Sequence, residues 1–260
     1  MTDAGSPVSY AYADGVARIT LTDGDRGNPV DLDSVAALTD AVLRARSDAA
    51  RVVVLAAEGR FFSVGGDLAA FAGADDVGRY IDDLADALHR VISELQRLPA
   101  VVVSVVQGTA AGAGFPLAAA ADVVLAADTA VFALAYGKVG LSPDGGSSLL
   151  VHTLGLHRTL RMALLHDTLS AADALAAGLV ARVVPVAELA ATAEEIVARL
   201  AGGSGPAQAA AKRLVRTAAE AEIETRLRAE TLSIRELAVG ADGREGVQAF
   251  LEKRAPRFGA

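Results

Sequence analysis

The chain has 260 residues and no cysteine, and its 32 acidic against 24 basic side chains give a formal net charge of −8. These values exclude a disulfide framework, a thiolate nucleophile and thiolate metal sites, fit a reducing cytoplasm, and argue against a nucleic-acid backbone as partner. The apolar fraction of 52% is mostly Ala, Val and Leu, with 4% aromatic, so a sizeable core must be filled by small, closely packed side chains.

The first residues, Met1 to Val8, lack the basic start and apolar run of a signal peptide. From Val8 to Leu21 apolar and polar residues alternate around Asp14-Gly15, which predicts a β-hairpin with a tight turn. Asp31 or Asp33 then caps a helix through about Arg46, with Val35, Leu38, Val42 and Leu43 at helical spacing. Val77 to Leu98 reads as an amphipathic helix with Ile81, Leu84, Leu88, Val91, Ile92 and Leu95 on its apolar face, stopped by Pro99.

Two segments share one plan, a buried strand running through a glycine-bearing turn into a helix. In the first, Arg51–Ala57 is the strand, Glu58–Gly66 the turn and Asp67 the helix cap; in the second, Val101–Gln107 is the strand, Gly108–Gly114 the turn and Phe115–Ala121 the helix. The uncharged run Leu98–Ala121 is long enough to span a bilayer, but Pro99, Gln107, Gly108, Gly112 and Gly114 divide it into core elements. Two such turns can aim two backbone N–H groups at one point, an oxyanion hole that needs no catalytic side chain. Chemistry on an acyl group follows.

Further strands are expected at Asp122–Ala127, Ala130–Leu134 and Leu179–Val184. Strands alternating with helices give an α/β fold, and the repeated unit suggests a coil of similar turns. At Ala201-Gly-Gly-Ser-Gly-Pro206 the composition shifts to that of a hinge; beyond it Ala207–Ala238 is helical and Asp242 caps a last helix to Arg254. The division is therefore a core over 1–200 and a C-terminal helical region over 201–260.

Gly59-Arg-Phe-Phe-Ser-Val-Gly-Gly-Asp-Leu68, Gln107-Gly-Thr-Ala-Ala-Gly-Ala-Gly114, Gly140-Leu-Ser-Pro-Asp-Gly-Gly146 and the tail Phe250-Leu-Glu-Lys-Arg-Ala-Pro-Arg-Phe258 occur in the order and spacing of the enoyl-CoA hydratase/isomerase, or crotonase, family. The chain resembles that family over nearly its whole length, closest in motif to the isomerase branches. The resemblance implies a spiral of β-β-α turns, assembly as a homotrimer or dimer of trimers through the C-terminal region, and a role in fatty acid metabolism. It also implies an acyl-CoA thioester as substrate, coenzyme A entering only as part of that thioester, with no other cofactor, no metal and no membrane partner.

Carried over position by position, the oxyanion-hole donors are the N–H groups of Gly66 and Ala113. Ser63 and Val64 stand where the family's backbone meets the adenine of CoA. Asp67 follows the hole directly and is most simply a helix N-cap. An anionic CoA needs local basic groups on this acidic chain, and Arg26, Arg60, Lys253 and Arg254 are the candidates, with Phe250 and Lys253 reaching the site of a neighbouring subunit. Phe132 and Tyr136 would line the acyl pocket.

Hydratases of the family position their water with two glutamates. Here Pro116 and Tyr136 occupy those places. Proline has no proton to trade, and a phenol of ordinary pKa about 10 is a poor base near neutrality. Asp144, in the third motif, is the remaining carboxylate, and in the isomerase branches an acid there shuttles a proton between carbons of the acyl chain. Plain helix capping is its structural alternative. His89, His152, His157 and His166 show no metal-ligand spacing. The expected reaction is a double-bond shift from a 3-enoyl to a 2-enoyl thioester, with hydration or non-catalytic acyl-CoA binding as the alternatives.

Overall fold

Asp14 and Gly15 both take positive φ, 52° and 80°, the geometry of a two-residue hairpin turn. They join β1 (Val8–Ala13) to its antiparallel partner β2 (Val16–Leu21) in a computed structural model that describes residues 5–219 and 223–258. A two-residue strand, β3 (Pro29–Val30), precedes α1 (Leu32–Ser47). Asp31 caps that helix: its side chain accepts the Ser34 N–H while the Ser34 hydroxyl oxygen accepts the Asp31 N–H.

Three β-β units follow. The first comprises β4 (Val52–Ala57), β5 (Phe61–Ser63) and the short β6 (Gly65–Gly66), then α2 (Leu68–Gly73) and α3 (Val77–Arg97). The second is β7 (Val101–Val106), β8 (Thr109–Ala111) and α4 (Gly114–Ala119). The third is β9 (Val123–Ala127) and β10 (Val131–Ala133). In each unit the first strand joins one sheet and the second another. The larger sheet has the order β1-β2-β4-β7-β9-β12 and the smaller β11-β10-β8-β5, while β3 pairs with β6. Each glycine-bearing segment expected as a turn thus contains short strands, and successive units stack as a spiral.

A 3-10 turn at Tyr136–Val139 and another at Ser147–Leu150 flank the third motif. After them come α5 (Val151–Leu154), α6 (Leu156–Leu165), β11 (Thr168–Ser170), α7 (Ala171–Ala176), β12 (Arg182–Val184) and α8 (Val186–Ala201). Parallel strands covered on both faces read as continuous apolar runs. Val53, Leu55 and Val102 enter the main core, whereas Val52, Val54 and Val103 meet Leu189, Ala193, Ile196 and Val197 of α8.

The C-terminal region supplies α9 (Gly205–Ala219), α10 (Ile223–Ala238) and α11 (Ala241–Leu251). Gly240 is the N-cap of α11, and Asp242, expected as the cap, sits in its first turn. On α9 the buried Lys212 donates to the carbonyls of Leu95 and Ala100 and pairs with Asp122 at 2.7 Å; burial pushes its pKa down. Helix α10 packs along α3, with Leu227 and Ile234 in the core and Arg228 paired to Asp82 and Asp86.

Candidate active site

The two glycine-bearing segments press against each other with no room for side chains. A Cβ on Gly65 would lie 2.8 Å from the Ala111 carbonyl oxygen, and one on Gly114 would lie 2.5 Å from Ser63 Cβ. Gln107 stitches the pair together by donating its amide to the carbonyls of Gly59 and Phe61 at 3.2 and 3.0 Å. The Asp67 N–H bonds the Val30 carbonyl at 3.1 Å, so in this extended stretch the preceding Gly66 N–H faces away from β3. Ala113, at the start of α4 with φ −60°, has an N–H that meets no acceptor among the described residues. Two donors at helix starts are thereby brought close.

The third motif arrives at the same place. A Cβ on Gly145 would stand 3.5 Å from Ala113 Cα, which sets Asp144 beside the second donor. Asp144 is 6% exposed. Its carbonyl accepts the Tyr136 hydroxyl at 2.9 Å and the Ser147 hydroxyl at 2.6 Å, fixing the backbone. Its carboxylate oxygen Oδ1 is buried, lies 2.8 Å from His89 Nε2 and takes no aligned hydrogen bond. The side chain does not cap the following 3-10 turn; it is a buried carboxylate whose Oδ1 is left under-bonded.

Another side chain holds that turn. Glu230 of α10, itself buried, accepts the backbone N–H groups of Gly146 and Ser148 at 2.7 Å each and that of Ser147 at 3.2 Å. Burial pushes its carboxyl pKa up, against the lowering pull of Ser148 and the Gly146 N–H, and the nearby Asp144 charge adds to the rise. Removing it by Glu230→Ala would strand three donors, those of Gly146 and Ser147 buried, so a loss of roughly 2–3 kcal/mol is expected in urea unfolding. His89, Asp144 and Glu230 offer three ligand atoms within 4.8 Å of one another. However, both Glu230 oxygens already hold backbone N–H groups and the Gly145 N–H points at His89 Nε2 at 3.3 Å, so of the three only Asp144 keeps an oxygen without an aligned hydrogen bond.

The model of the enoyl-CoA hydratase/isomerase family matches residues 11–260. The chain belongs to that family. It is 36% identical over 252 residues to a probable enoyl-CoA hydratase of Rhodobacter capsulatus, covering 96% of this chain and 97% of the relative. It is also 36% identical to 1,2-epoxyphenylacetyl-CoA isomerase of Escherichia coli, covering 94% and 95%. A crystal structure of an enoyl-CoA hydratase from Mycobacterium avium subsp. paratuberculosis superposes with TM-score 0.89 at 35% identity over 98% of this chain and 99% of that one. The crotonase-like spiral and the C-terminal helical region are accordingly those of the family.

Within this enoyl-CoA hydratase/isomerase chain several expected binding residues have other work. Ser63 is fully buried, donating to the Asn28 carbonyl at 2.8 Å and accepting the Gly65 N–H, so only its backbone is left for the contact that the resemblance implies; its neighbour Val64 is exposed. Phe132 is a core residue stacked against Phe115 at 5.2 Å between centroids, not a pocket wall. Asp67 spends one oxygen on the N–H groups of Ala69 and Ala70 and the other on Arg26 at 2.5 Å. It is a cap, not a substrate ligand. Arg26 also pairs with Asp23 at 2.9 Å, so phosphate would have to displace carboxylates. Arg254 is likewise held, by Glu245 and Glu252.

Phe250 and Lys253 are exposed at the end of α11. Tyr136 is buried, and that burial, with the Asp144 and Glu230 charges, drives its pKa well above the ordinary phenol value. It cannot serve as the second hydratase base. Pro116 is buried in α4 and offers no proton-transfer group.

Sequence spacing says of His89 only that it makes no metal-binding motif, and says nothing of Glu230. A polar signal was nevertheless present. His89 falls among Ala85, Leu88 and Ile92 on the apolar face of α3, and Glu230 between Leu227 and Ile234 on that of α10. A titratable residue on an apolar stripe must find a buried partner.

Proposed function

We propose that the protein shifts a carbon–carbon double bond in an acyl-CoA thioester, from the 3-enoyl to the 2-enoyl form. One observation carries this reading: Asp144, beside the hole, is a buried carboxylate whose Oδ1 takes no aligned hydrogen bond. The thioester carbonyl would accept the Gly66 and Ala113 N–H groups. Asp144 would take the proton from carbon 2, the hole would hold the dienolate, and Asp144 would deliver a proton to carbon 4.

This chemistry uses no cofactor beyond the CoA of the substrate, and a cytoplasmic setting suits the cysteine-free chain. The name of the Escherichia coli relative, an isomerase, supports the reading, as does that of a Streptococcus mutans relative 32% identical over 256 residues, a trans-2-decenoyl-[acyl-carrier-protein] isomerase. The Rhodobacter capsulatus name favours hydration, but Pro116 and Tyr136 leave no pair of carboxylates to split a water.

The deciding experiment offers purified protein a panel of 2-enoyl and 3-enoyl CoA thioesters and identifies products by NMR and mass spectrometry. A higher specificity constant for 3-enoyl substrates is expected. Efficient hydration of 2-enoyl-CoA would refute the proposal, and tight binding without turnover on any thioester would leave a binding protein.

Assembly as a trimer or dimer of trimers is part of the same proposal. Leu156, Leu160 and Leu164 recur at four-residue spacing on one exposed face of α6, and Leu214, Val215 and Phe250 are exposed on the C-terminal helices. Burying such faces between copies gives closed symmetry. Light scattering at micromolar concentration should return a multiple of three protomers; a monomeric mass would rule out a neighbour's Phe250 or Lys253 at the CoA site.

A further inference from the structure

A cavity of about 530 Å³, a size common among small-molecule sites, lies one helical turn past the oxyanion hole. On the hole side, a Cβ on Gly145 would lie 3.0 Å from Leu88 and 3.5 Å from Ala113. The next residue of the motif, Gly146, faces the next turn of α3, where its Cβ would lie 3.5 Å from Ile92. On α4, Pro116 follows Ala113 by three positions and Ala119 follows Pro116 by three, so one face of the helix leads away from the donor. Ile92, Pro116, Ala119 and Gly146 all line the cavity. Three walls of the hole continue into walls of the cavity.

The inner end is buried and apolar, formed by Ile92, Pro116, Gly146, Leu149 and Leu150. Pro116 stands where hydratases of the family carry a glutamate, so this entrance holds no charge. Helix α9 forms the facing wall through Ala211, Lys212 and Val215, at the spacing of one helical face. Its charges are already engaged: Lys212 spends its three hydrogens on the carbonyls of Leu95 and Ala100 and on Asp122, whose carboxylate also takes Arg216 at 2.9 Å. The ammonium keeps no hydrogen for a polar group on a ligand. Two alanines, Ala119 and Ala211, leave the space between the helices open, and at the rim His152, Thr153 and Val215 are exposed.

We propose that this cavity receives the acyl tail beyond carbon 4, so that the substrate is a thioester with a straight, apolar acyl group of medium length. With the carbonyl on Gly66 and Ala113 and carbons 2 to 4 at Asp144, the chain runs past Leu88 and Pro116 and comes to lie between α4 and α9. The inference rests on the reading of that hole and base as the acyl-CoA site. It makes Ala119 and Ala211 the residues that set the chain length accepted. Each methylene moved from water into the cavity tightens binding about fourfold.

Calorimetry with butyryl-CoA and octanoyl-CoA tests this, because saturated thioesters bind without any double-bond shift. Octanoyl-CoA, longer by four methylenes, should bind the unaltered protein at least about tenfold tighter. Ala119→Leu and Ala211→Leu fill the cavity from opposite walls, and each should erase most of that gain while leaving the affinity for butyryl-CoA unchanged. Ala211→Leu lies at an exposed position of α9, where leucine is a good helix former, so it tests the cavity without disturbing the core. Conversion of 3-octenoyl-CoA, followed by NMR, is measured alongside.

Equal affinity for the two esters in the unaltered protein would overturn the proposal, as would a gain that survives both substitutions. A changed protomer number in light scattering, with binding of both esters altered together, would assign the cavity to a neighbouring copy and overturn it too. Conversion of 3-octenoyl-CoA without any chain-length gain would strike the cavity and leave isomerisation intact. A gain erased by both substitutions, without conversion of 3-octenoyl-CoA, would keep the cavity and remove the isomerase reading. Failure of both esters to bind would overturn both.

Discussion

Asp144→Asn should reduce double-bond isomerisation by at least about 10²–10⁴-fold, the usual worth of a positioned acid–base group. That loss corresponds to about 2.7–5.4 kcal/mol of barrier. The substitution keeps the shape of the side chain, and the backbone turn is held independently by Tyr136, Ser147 and Glu230. Binding of a non-reactive acyl-CoA, measured by calorimetry, should therefore persist in a folded protein. A variant that isomerises at the parent rate would show that the proton is carried elsewhere, and one that loses binding together with turnover would show that Asp144 is structural.

Ala113→Pro should be nearly as damaging for a different reason. It deletes one oxyanion donor without removing any acid–base group, and loss of one such donor costs about 2.7–4 kcal/mol, or 10²–10³ in kcat. Proline requires φ near −65°, and Ala113 already sits at −60°. The cost falls on Gly112, at φ +51°, because a residue before proline prefers extended backbone. Circular dichroism must accompany the assay. Ala113→Ser keeps the N–H and should retain substantial activity, since the glycine at 145 leaves beside Ala113 the space that a Cβ there would fill, 3.5 Å from Ala113 Cβ. Equal losses in well-folded serine and proline variants would argue that backbone donation is not the role of this position.

Much of this organisation was legible in the chain because it depends on local rules. The Asp14-Gly15 hairpin, the Asp31 cap, the apolar face of α3 and the valine runs of β4 and β7 each follow from neighbours within a few residues. The two glycine-bearing turns were legible for the same reason, since glycine spacing predicts where bare backbone can approach, whereas Gly66 and Ala113 as the donors are what the family resemblance implies. What escaped depends on distant pairing. Two-residue β3 and β6 exist only because each finds the other, and no periodicity marks a strand so short.

The same holds within the site. Ser63 reads as a polar residue in an open turn, yet its hydroxyl is consumed by Asn28, 35 positions earlier. Phe132 reads as a pocket wall until Phe115 is seen against it. Glu230 lies 82 to 84 positions from the three N–H groups it accepts, and His89 lies 142 from Thr231. A residue's own neighbours cannot reveal a partner that far away.

The position of Glu230 on α10 bears on the order in which the enzyme can become competent. During synthesis the spiral emerges first, and the loop bearing Asp144 waits with three unsatisfied amides until Glu230, 82 to 84 positions further on, has left the ribosome. Nascent chains halted before residue 230 would contain Gly66, Ala113 and Asp144, with the Asp144 carbonyl held by Tyr136 and Ser147 but the three following amides without Glu230. The compositional hinge at 201–206 therefore does not mark off a dispensable tail. The Asp144 turn is completed late, by the helix that carries Glu230.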